Sequence, residues 1–392
     1  MGALDYLKEQ LEELESQGLA LHPRTLEREQ AARTRFDGRE VINLASNNYL
    51  GLAAHPRLKE AAANAALEFG AGTGAVRTIA GSMTMHRELE RRFAEFKGSE
   101  DALMFQSGFT ANSGTVAAVL TREDVIVSDE LNHASIIDGA RLSRAEIKVF
   151  PHKDAEAADR LLADATSTGR RLLITDGVFS MEGDIAPLPA LVAVAERHGA
   201  IMMVDDAHAS GVLGRGGRGT VDHFDLHGRV DVQVGTLSKA IGVLGGFIAG
   251  PSQLIEWLAN RGRPYLFSTS APPAVVAACL AALDVMRDEP ERLDRLWDRT
   301  RFFKEGLHSL GFDTGASETP ITPVITGDEE KTQELARRLF EEGVFAPVIV
   351  FPTVARGRAR VRTIVTADHT EEDLREALDA FERVGRELGL QE

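Results

Sequence analysis

The strongest chemical signal in the sequence is a lysine that follows a buried strand. Lys239 lies in the segment TLSKAIGVLGG, which is otherwise small and uncharged, whereas the other lysines lie in polar or amphipathic segments that suit a solvated ammonium. Partial desolvation beside a core strand disfavours the ammonium and makes a neutral, nucleophilic amine accessible. Neutral amines form Schiff bases with aldehydes such as pyridoxal phosphate (PLP). A snorkelling surface lysine is the alternative that this segment alone leaves open.

A carboxylate and an imidazole end an apolar strand earlier in the chain, in the segment VDDAH. Asp205 at this strand end could pair with a pyridinium nitrogen and keep it protonated, so that the ring withdraws electrons. His208, three residues further on, could reach the same ring. Alone, the segment also fits a capping or metal-binding role. Together with Lys239, in this order, it indicates a PLP site.

The segment QSGFTAN could bind a phosphate, because it joins a strand to a helix whose first N–H groups are free. Gly108 permits a close approach of the backbone, and Thr236 and Ser238 would add hydroxyl groups beside the reactive lysine. The glycine-rich run 214–219 (GRGGRG) differs from the dinucleotide pattern GxGxxG and lacks its strand and helix context. We interpret it as a flexible loop.

The remaining histidines carry a weaker signal. His133 follows a strand in LNHAS, where its ring could stack on a planar cofactor or be a hydrogen-bonded structural residue. His223 and His227, with Asp222 and Asp225, have a spacing that could bind a metal, but no third ligand accompanies them in their polar segment. No metal site is therefore predicted.

Short apolar runs rich in Val and Ile alternate with helical segments such as 188–198 between residues 100 and 250. They lack polar alternation, which favours strands buried on both faces in a parallel sheet covered by helices. Polar or glycine residues end several runs, at the strand ends where ligands bind in such sheets. The predicted strands are 101–106, 125–128, 147–150, 172–176, 201–205, 230–235 and 246–249.

Beyond residue 285 the pattern is that of a smaller α+β domain. The predicted elements there are a helix over 291–310, strands near 321–326, 344–350 and 359–365, and a last helix over 371–388. An amphipathic helix is also predicted over 1–17. The expected division is an N-terminal helix and arm (1–45), a large α/β domain (46–285) and a small C-terminal α+β domain (286–392), packed tightly.

The charge balance excludes several classes of partner. The 392-residue chain has 44 basic and 60 acidic residues, a net charge of −16, so it lacks the basic footprint of a nucleic-acid binder and would be repelled by anionic membranes. Its single cysteine excludes an internal disulfide. The most apolar stretch, 271–286, is interrupted by an aspartate and is predicted to be a buried helix. We expect a cytoplasmic protein that binds neither nucleic acid nor membrane.

These motifs, in this order, resemble the α-oxoamine synthase family of fold-type I PLP enzymes. The similarity covers nearly the whole chain and includes SNNYLGL, SDELNHASIIDG, TDGVFSMEGDIAPL, VDDAHASGVLG, RPYLFSTS and FPTVARGRARVR. The resemblance implies an α/β fold with a mostly parallel central sheet in a large domain and a smaller C-terminal domain. It also implies PLP as the cofactor and a homodimer whose active site lies at the subunit interface.

The resemblance further implies roles for individual residues. Lys239 would hold PLP as a Schiff base and later act as the base at Cα, while Asp205 would pair with the pyridine nitrogen. His208 would contact the phenolic oxygen, and His133 would stack on the ring and polarise the acyl carbonyl. Arg362 would hold the amino-acid carboxylate, which its guanidinium geometry suits.

The other implied contacts involve the cofactor's phosphate and the substrate. The implied phosphate contacts are Gly108, Phe109, Ser180 and Thr236 from one subunit and Ser268 and Thr269 from the other. The implied substrate contacts are Asn47 and Thr353, beside His133 and Arg362.

The implied reaction condenses a small amino acid with an acyl-CoA and releases CoA. The segments 127–139 and 261–268 favour glycine with acetyl-CoA, which gives 2-amino-3-oxobutanoate as in threonine catabolism. The segment 107–112 fits the alternative better, in which alanine reacts with a pimeloyl thioester and CO2 is lost, as in biotin synthesis. The sequence is also compatible with one enzyme that has both activities, since one methylene group contributes only about 1–3 kcal/mol to the discrimination between substrates. A PLP aminotransferase and an α/β binding module without activity are the competing classes.

Overall fold

The computed structural model describes residues 2–391 apart from 18, 21 and 167. Its strands are β1 (Arg33–Phe36), β2 (Arg39–Asn43), β3 (Asp101–Phe105), β4 (Val125–Asp129), β5 (Glu146–Phe150), β6 (Arg171–Asp176), β7 (Ile201–Asp205), β8 (Val232–Thr236), β9 (Gly246–Gly250), β10 (Ile321–Ile325), β11 (Val344–Phe345), β12 (Val348–Ile349) and β13 (Arg360–Ile364). Its α-helices are α1 (Tyr6–Ser16), α2 (Pro56–Phe69), α3 (Thr84–Lys97), α4 (Gly108–Val119), α5 (Ala134–Ser143), α6 (Ala155–Ala163), α7 (Leu188–His198), α8 (Thr220–His223), α9 (Ser252–Arg261), α10 (Arg263–Phe267), α11 (Pro273–Asp288), α12 (Glu291–Ser309), α13 (Glu329–Glu341) and α14 (Glu371–Glu387).

The predicted strands between 101 and 250 all lie in one seven-stranded sheet, in the order β3-β9-β8-β7-β6-β4-β5. Strands β4 to β8 pair in parallel, as predicted, so their carboxyl ends meet at one edge of the sheet. Strand β9 is the exception, because it pairs antiparallel with both β8 and β3. The prediction of an α/β fold with a mostly parallel sheet is confirmed.

Gly246, at the start of β9, pairs with both Phe105 and Thr236. The carboxyl ends of β3 and β8 therefore lie on either side of it, at the same edge of the sheet. A Cβ atom at this position would lie 2.5 Å from the carbonyl carbon of Ser107 and 2.6 Å from the nitrogen of Gly108. Glycine thus allows the start of α4 to approach the start of β9 closely.

Helices cover both faces of this sheet. On β6, Leu172 and Ile174 pack with residues of α4 and α5, whereas Leu173 packs with residues of α6 and α7. This alternation explains the continuous apolar runs, since both faces need apolar side chains. The prediction of burial on both faces is wrong for the edge strand β5, where Ile147 and Val149 are 40% and 57% exposed.

Two three-stranded sheets account for the strands at either end of the chain. One has the order β10-β13-β12 and the other β1-β2-β11. The single strand predicted over 344–350 is instead two short strands in different sheets, separated by Pro347, which has no N–H to donate to a ladder. Since β11 pairs with β2, the segment 39–43 is tied to the C-terminal part of the chain.

The expectation that every lysine except Lys239 is solvated is wrong, most clearly for Lys97. Lys97 is fully buried, and its Nζ donates to Oδ2 of Asp206 at 2.7 Å and to the carbonyl of Arg218 at 2.6 Å. These bonds also hold the glycine-rich run 214–219, which we interpreted as flexible. The partner comes from a distant strand end, so the pattern of α3 alone gives no sign of this ion pair.

The N-terminal helix α1 has no buried residue. The apolar stretch at 271–286 forms the helix α11, which packs against α2 as a buried helix should. Within the described part of the chain, no helix combines the length and apolarity that crossing a bilayer requires.

Candidate active site

Eight of the predicted site residues line one pocket of about 250 Å³ at the carboxyl edge of the central sheet. They come from the ends of β3, β4, β6, β7 and β8 and the segments that follow them, which is why distant parts of the sequence meet. These residues are Gly108, Phe109, His133, Ser180, Asp205, His208, Thr236 and Lys239. The amine and the carboxylate singled out in the sequence therefore share one cavity.

Lys239 lies three residues beyond β8 and is half-buried at this pocket. Burial lowers its pKa to about 8, although the nearby carboxylate of Asp205 favours its charged form. A lysine with this pKa is neutral in an appreciable fraction of molecules near neutral pH. Its amine can therefore act as a nucleophile or as a base.

Asp205 and Asp176 are register partners at the ends of β7 and β6. The carboxylate of Asp205 is fixed at both oxygens, since Oδ2 accepts from Nδ2 of Asn112 at 2.5 Å and Oδ1 accepts from the amide of Ala207 at 2.8 Å. Asp176 accepts from the amide of His133 at 3.0 Å. Burial and the neighbouring charge of Asp205 raise the pKa of Asp176 well above its usual range, so its neutral form is favoured.

Asn112 and Ser135 connect Asp205 to His133. Asn112 also donates to Oγ of Ser135 at 2.9 Å, and this oxygen lies 2.7 Å from Nδ1 of His133. Because the amide of Ser135 also donates to Nδ1, this nitrogen is an acceptor, and a neutral ring carries its proton on Nε2. Burial lowers the pKa of His133 and favours this neutral ring. Asn112 and Ser135 received no role from the sequence, although both lie within quoted motifs.

The start of α4 presents two free N–H groups to the pocket. Ser107 caps this helix, since its Oγ accepts from the amide of Thr110 at 3.0 Å and its carbonyl accepts from the amide of Ala111 at 3.0 Å. The amides of Gly108 and Phe109 meet no acceptor in the described ranges, and the hydroxyl of Thr236 lies beside them. Such a helix start favours an anion.

This donor set matches the three reactive parts of PLP. The amine of Lys239, with its lowered pKa, can react with the aldehyde, and the anchored carboxylate of Asp205 suits the pyridinium nitrogen. The capped start of α4, with its two free amides, suits the phosphate. All three lie around one cavity. The residues present fit the cofactor.

Of the predicted substrate contacts Asn47, Thr353 and Arg362, the arginine contacts a residue that lines this pocket. Arg362 is buried on β13, and its Nη1 donates to the carbonyl of Ser180, a pocket residue, at 3.1 Å. Its Nε and the Oδ1 of Asn47 are buried without a partner in the portion of the chain described. Both atoms are thus available to a polar ligand. Thr353 lies in an exposed turn and does not line the pocket, so its role stays a prediction.

Ser268 and Thr269 do not line the pocket of their own chain. Thr269 pairs with Val76, and its carbonyl accepts from the side chain of Gln106 at 3.2 Å. Their expected contact with the phosphate of another subunit stays a prediction.

His152 links the site to the segment that carries Ser180. Its Nδ1 lies 3.1 Å from Oδ1 of Asp129, at the end of β4, and its Nε2 lies 3.0 Å from Oδ2 of Asp184. Lys153 also contacts Asp184, at 3.1 Å. Although burial opposes the charged ring, the two carboxylates raise the pKa of His152 to about 9.

This raised pKa predicts how stability changes with pH. The charged His152 contributes stability that is fully present below its ordinary pKa of 6.5 and is lost as pH rises through about 9. Thermal melting of wild type and His152→Gln should show a gap of a few degrees near pH 6 that closes by about pH 10. The exposed His22→Gln is the matched control. A gap that is constant from pH 6 to 10 would contradict this coupling.

Comparisons with known proteins agree with this chemistry. Residues 39–381 match the family model of aminotransferase class I and II. The chain is 62% identical over 391 residues to the 8-amino-7-oxononanoate synthase of Symbiobacterium thermophilum, covering 100% of both chains. Other curated relatives at 53% to 60% identity carry the same enzyme name.

Solved structures of a second enzyme share the fold. Sphingomonas wittichii serine palmitoyltransferase superposes with a TM-score of 0.94 at 33% identity, covering 99% of this chain and 98% of the other. A serine palmitoyltransferase structure described as having a PLP internal aldimine gives a TM-score of 0.93 at 31% identity, with coverage of 99% and 98%.

Proposed function

Because the chain belongs to the aminotransferase class I and II family, as a PLP-dependent α-oxoamine synthase, we propose that it condenses alanine with a pimeloyl thioester. The observation that carries this proposal is the 62% identity to an 8-amino-7-oxononanoate synthase along the full length of both chains. The product would be 8-amino-7-oxononanoate, an intermediate of biotin synthesis.

The expectation of glycine with acetyl-CoA, and hence of threonine catabolism, is not supported by these relatives. One of the two segments used to favour it, 127–139, contains His133 of the cofactor pocket, and the other ends at Ser268. Residues that contact the cofactor serve chemistry that the whole family shares, so they discriminate poorly between substrates. The alternative fits better.

PLP, when bound, supplies an aldehyde that captures amines and a ring that withdraws electrons from the substrate's α-carbon. Asp205 is positioned to hold the ring nitrogen protonated, and the amides of Gly108 and Phe109 to hold the phosphate. Lys239, whose pKa is about 8, can take the proton from the α-carbon. Neutral His133 has its Nε2–H free to donate to the thioester carbonyl.

The overall reaction forms one C–C bond, between the α-carbon of alanine and the thioester carbonyl carbon. The C–S bond breaks and the sulfur leaves as the thiol, taking up the equivalent of the α-proton that was removed. The bond to the α-carboxylate breaks and releases CO2, and a proton from solvent takes its place on the α-carbon. Arg362 is placed to hold that carboxylate until this step, because a buried guanidinium with an unpartnered Nε can receive it.

The test of this proposal is a thiol-release assay with glycine or alanine against acetyl-CoA and pimeloyl-CoA. We expect kcat/KM for alanine with pimeloyl-CoA to exceed kcat/KM for each of the other three combinations by about 10-fold or more. This is the effect expected when a pocket recognises one methyl group or one part of the acyl chain. Mass spectrometry should find 8-amino-7-oxononanoate. A higher kcat/KM for glycine with acetyl-CoA would overturn the assignment.

Replacing Arg362 with alanine should weaken the binding of amino acid far more than that of PLP. Loss of a buried guanidinium partner for a carboxylate costs about 2–5 kcal/mol, so KM for alanine should rise about 30-fold or more. The exposed Arg358→Ala, on the segment before β13, is the matched control. Equal losses of cofactor and alanine affinity would refute the role.

We also propose that the chain works as a homodimer. Two of its largest exposed apolar side chains, Ile79 and Phe267, are 84% and 71% exposed and flank the paired residues Val76 and Thr269. A second copy would cover them and would bring its Ser268 to the neighbouring pocket. Sedimentation equilibrium should give twice the chain mass of 42.5 kDa.

A further inference from the structure

A buried tyrosine contacts the histidine of the pocket and has no role in the function proposed above. Tyr49, in the motif SNNYLGL, is fully buried, and its hydroxyl lies 2.7 Å from Nδ1 of His208. The two rings meet edge to face, with centroids 6.2 Å apart and planes at 78°. The Nε2 of His208, on the other side of the imidazole, hydrogen-bonds to no residue that the structure describes.

The surroundings of this pair decide where its protons lie. The hydroxyl of Tyr49 has no other acceptor in the described residues, so it must donate to Nδ1, because a buried donor without a partner costs about 1–3 kcal/mol. Burial, with the charges of Lys239 and Arg362 and the nearby His133, holds the pKa of His208 well below its ordinary value. Burial also raises the pKa of Tyr49, which keeps its proton.

We propose that Tyr49 is a positioning residue that fixes neutral His208 as the Nε2–H tautomer, so that the nitrogen facing the pocket is a hydrogen-bond donor. This inference rests on the proposed function and on the contact between His208 and the phenolic oxygen of PLP that the family resemblance implies. With the other tautomer, Nε2 would present a lone pair to that oxygen and repel it. Tyr49 therefore decides whether the contact between His208 and the phenolic oxygen is attractive or repulsive.

The backbone around Tyr49 holds its hydroxyl in place. The amide of Ala367 donates to the carbonyl of Tyr49 at 2.7 Å, and the amide of Tyr49 donates to the carbonyl of Asn47 at 2.8 Å. Gly51 adopts a φ of +71°, and a Cβ atom there would lie 1.9 Å from Oδ2 of Asp368. The turn is thus pressed against the segment that follows β13, and the hydroxyl has little freedom to leave His208.

The first test reads the tautomer without the cofactor. Nitrogen-15 NMR of the full chain free of PLP should show a proton bound to Nε2 of His208 and none on Nδ1, with the signals assigned by their loss in His208→Gln. In Tyr49→Phe the proton should move to Nδ1 in part or in full. A proton on Nδ1 in the wild type overturns the proposal even if the variant fails to fold, and so does an unchanged tautomer in Tyr49→Phe.

The second test uses the PLP-bound enzyme. Tyr49→Phe should lower kcat about 10-fold, which corresponds to the loss of one hydrogen bond, while KM for alanine stays nearly constant. It should also shift the pH midpoint of the cofactor's visible absorption. Tyr265→Phe makes the same change at a buried tyrosine outside the pocket and should do neither. An unmoved midpoint in Tyr49→Phe overturns the inference alone, whereas failure of Lys239 to capture PLP overturns the proposed function.

Discussion

Replacing Lys239 with alanine should lower kcat by a factor of about 10⁴ or more, because we propose that the side chain is both the covalent anchor of PLP and the base. The visible absorption band that appears when PLP is added to the wild type should be absent. Lys239→Arg should lose as much, since an arginine keeps the charge but neither forms a Schiff base nor gives up its proton.

A second lysine provides the control for this experiment. Lys304 also has its pKa lowered to about 8 by burial, but its Nζ donates to the carbonyl and hydroxyl of Ser317 and to the carbonyl of Thr319, away from the pocket. Lys304→Ala should keep the absorption band. A band that persists in Lys239→Ala, or that disappears only in Lys304→Ala, would show that the wrong amine has been assigned.

Asp205→Asn should lower kcat about 10³-fold while PLP still binds. The change keeps the size of the side chain but removes the charge that would hold the ring nitrogen protonated, and losses of this order follow from removing one such electrostatic contact. The measurement is the single-turnover rate at which alanine exchanges its α-proton for deuterium from the solvent.

The neighbouring carboxyl gives a matched control. Asp176→Asn makes the same change on the adjacent strand, but the raised pKa of Asp176 means that a neutral group replaces a group that already favours its neutral form. Its effect should be less than about 10-fold, since the side-chain oxygen can still accept from the amide of His133. Equal losses in the two variants would mean that the pair, rather than Asp205, carries the required charge.

The sequence predicted well which residues lie at the carboxyl ends of the central strands. Apolar runs bounded by polar residues gave the central strands to within two residues, and the parallel order then brought Asp205 and Lys239 to one edge. The antiparallel β9 was not predictable, because its run resembles the parallel ones. The division of 344–350 between two sheets also depends on which partner each residue meets.

The residues that sequence reasoning missed act through other residues. Asn112, Ser135 and Tyr49 each touch a predicted site residue rather than standing at a strand end themselves. The partners of Asn112 and Tyr49 lie 93 and 159 positions away in the chain, so no local spacing marks these two residues. Ser135 lies only two positions from His133, but nothing in the short motif LNHAS distinguishes it from a turn serine. The sequence motifs also did not decide between glycine and alanine as the substrate, since the two amino acids differ by a single methyl group.

Gly246 has a consequence for how the site tolerates change. A methyl group added there would meet the carbonyl of Ser107 and the nitrogen of Gly108, so it would displace the start of α4, which carries the amides proposed to bind the phosphate. The phosphate would then be held less firmly, although the substitution touches neither the cofactor nor the substrate.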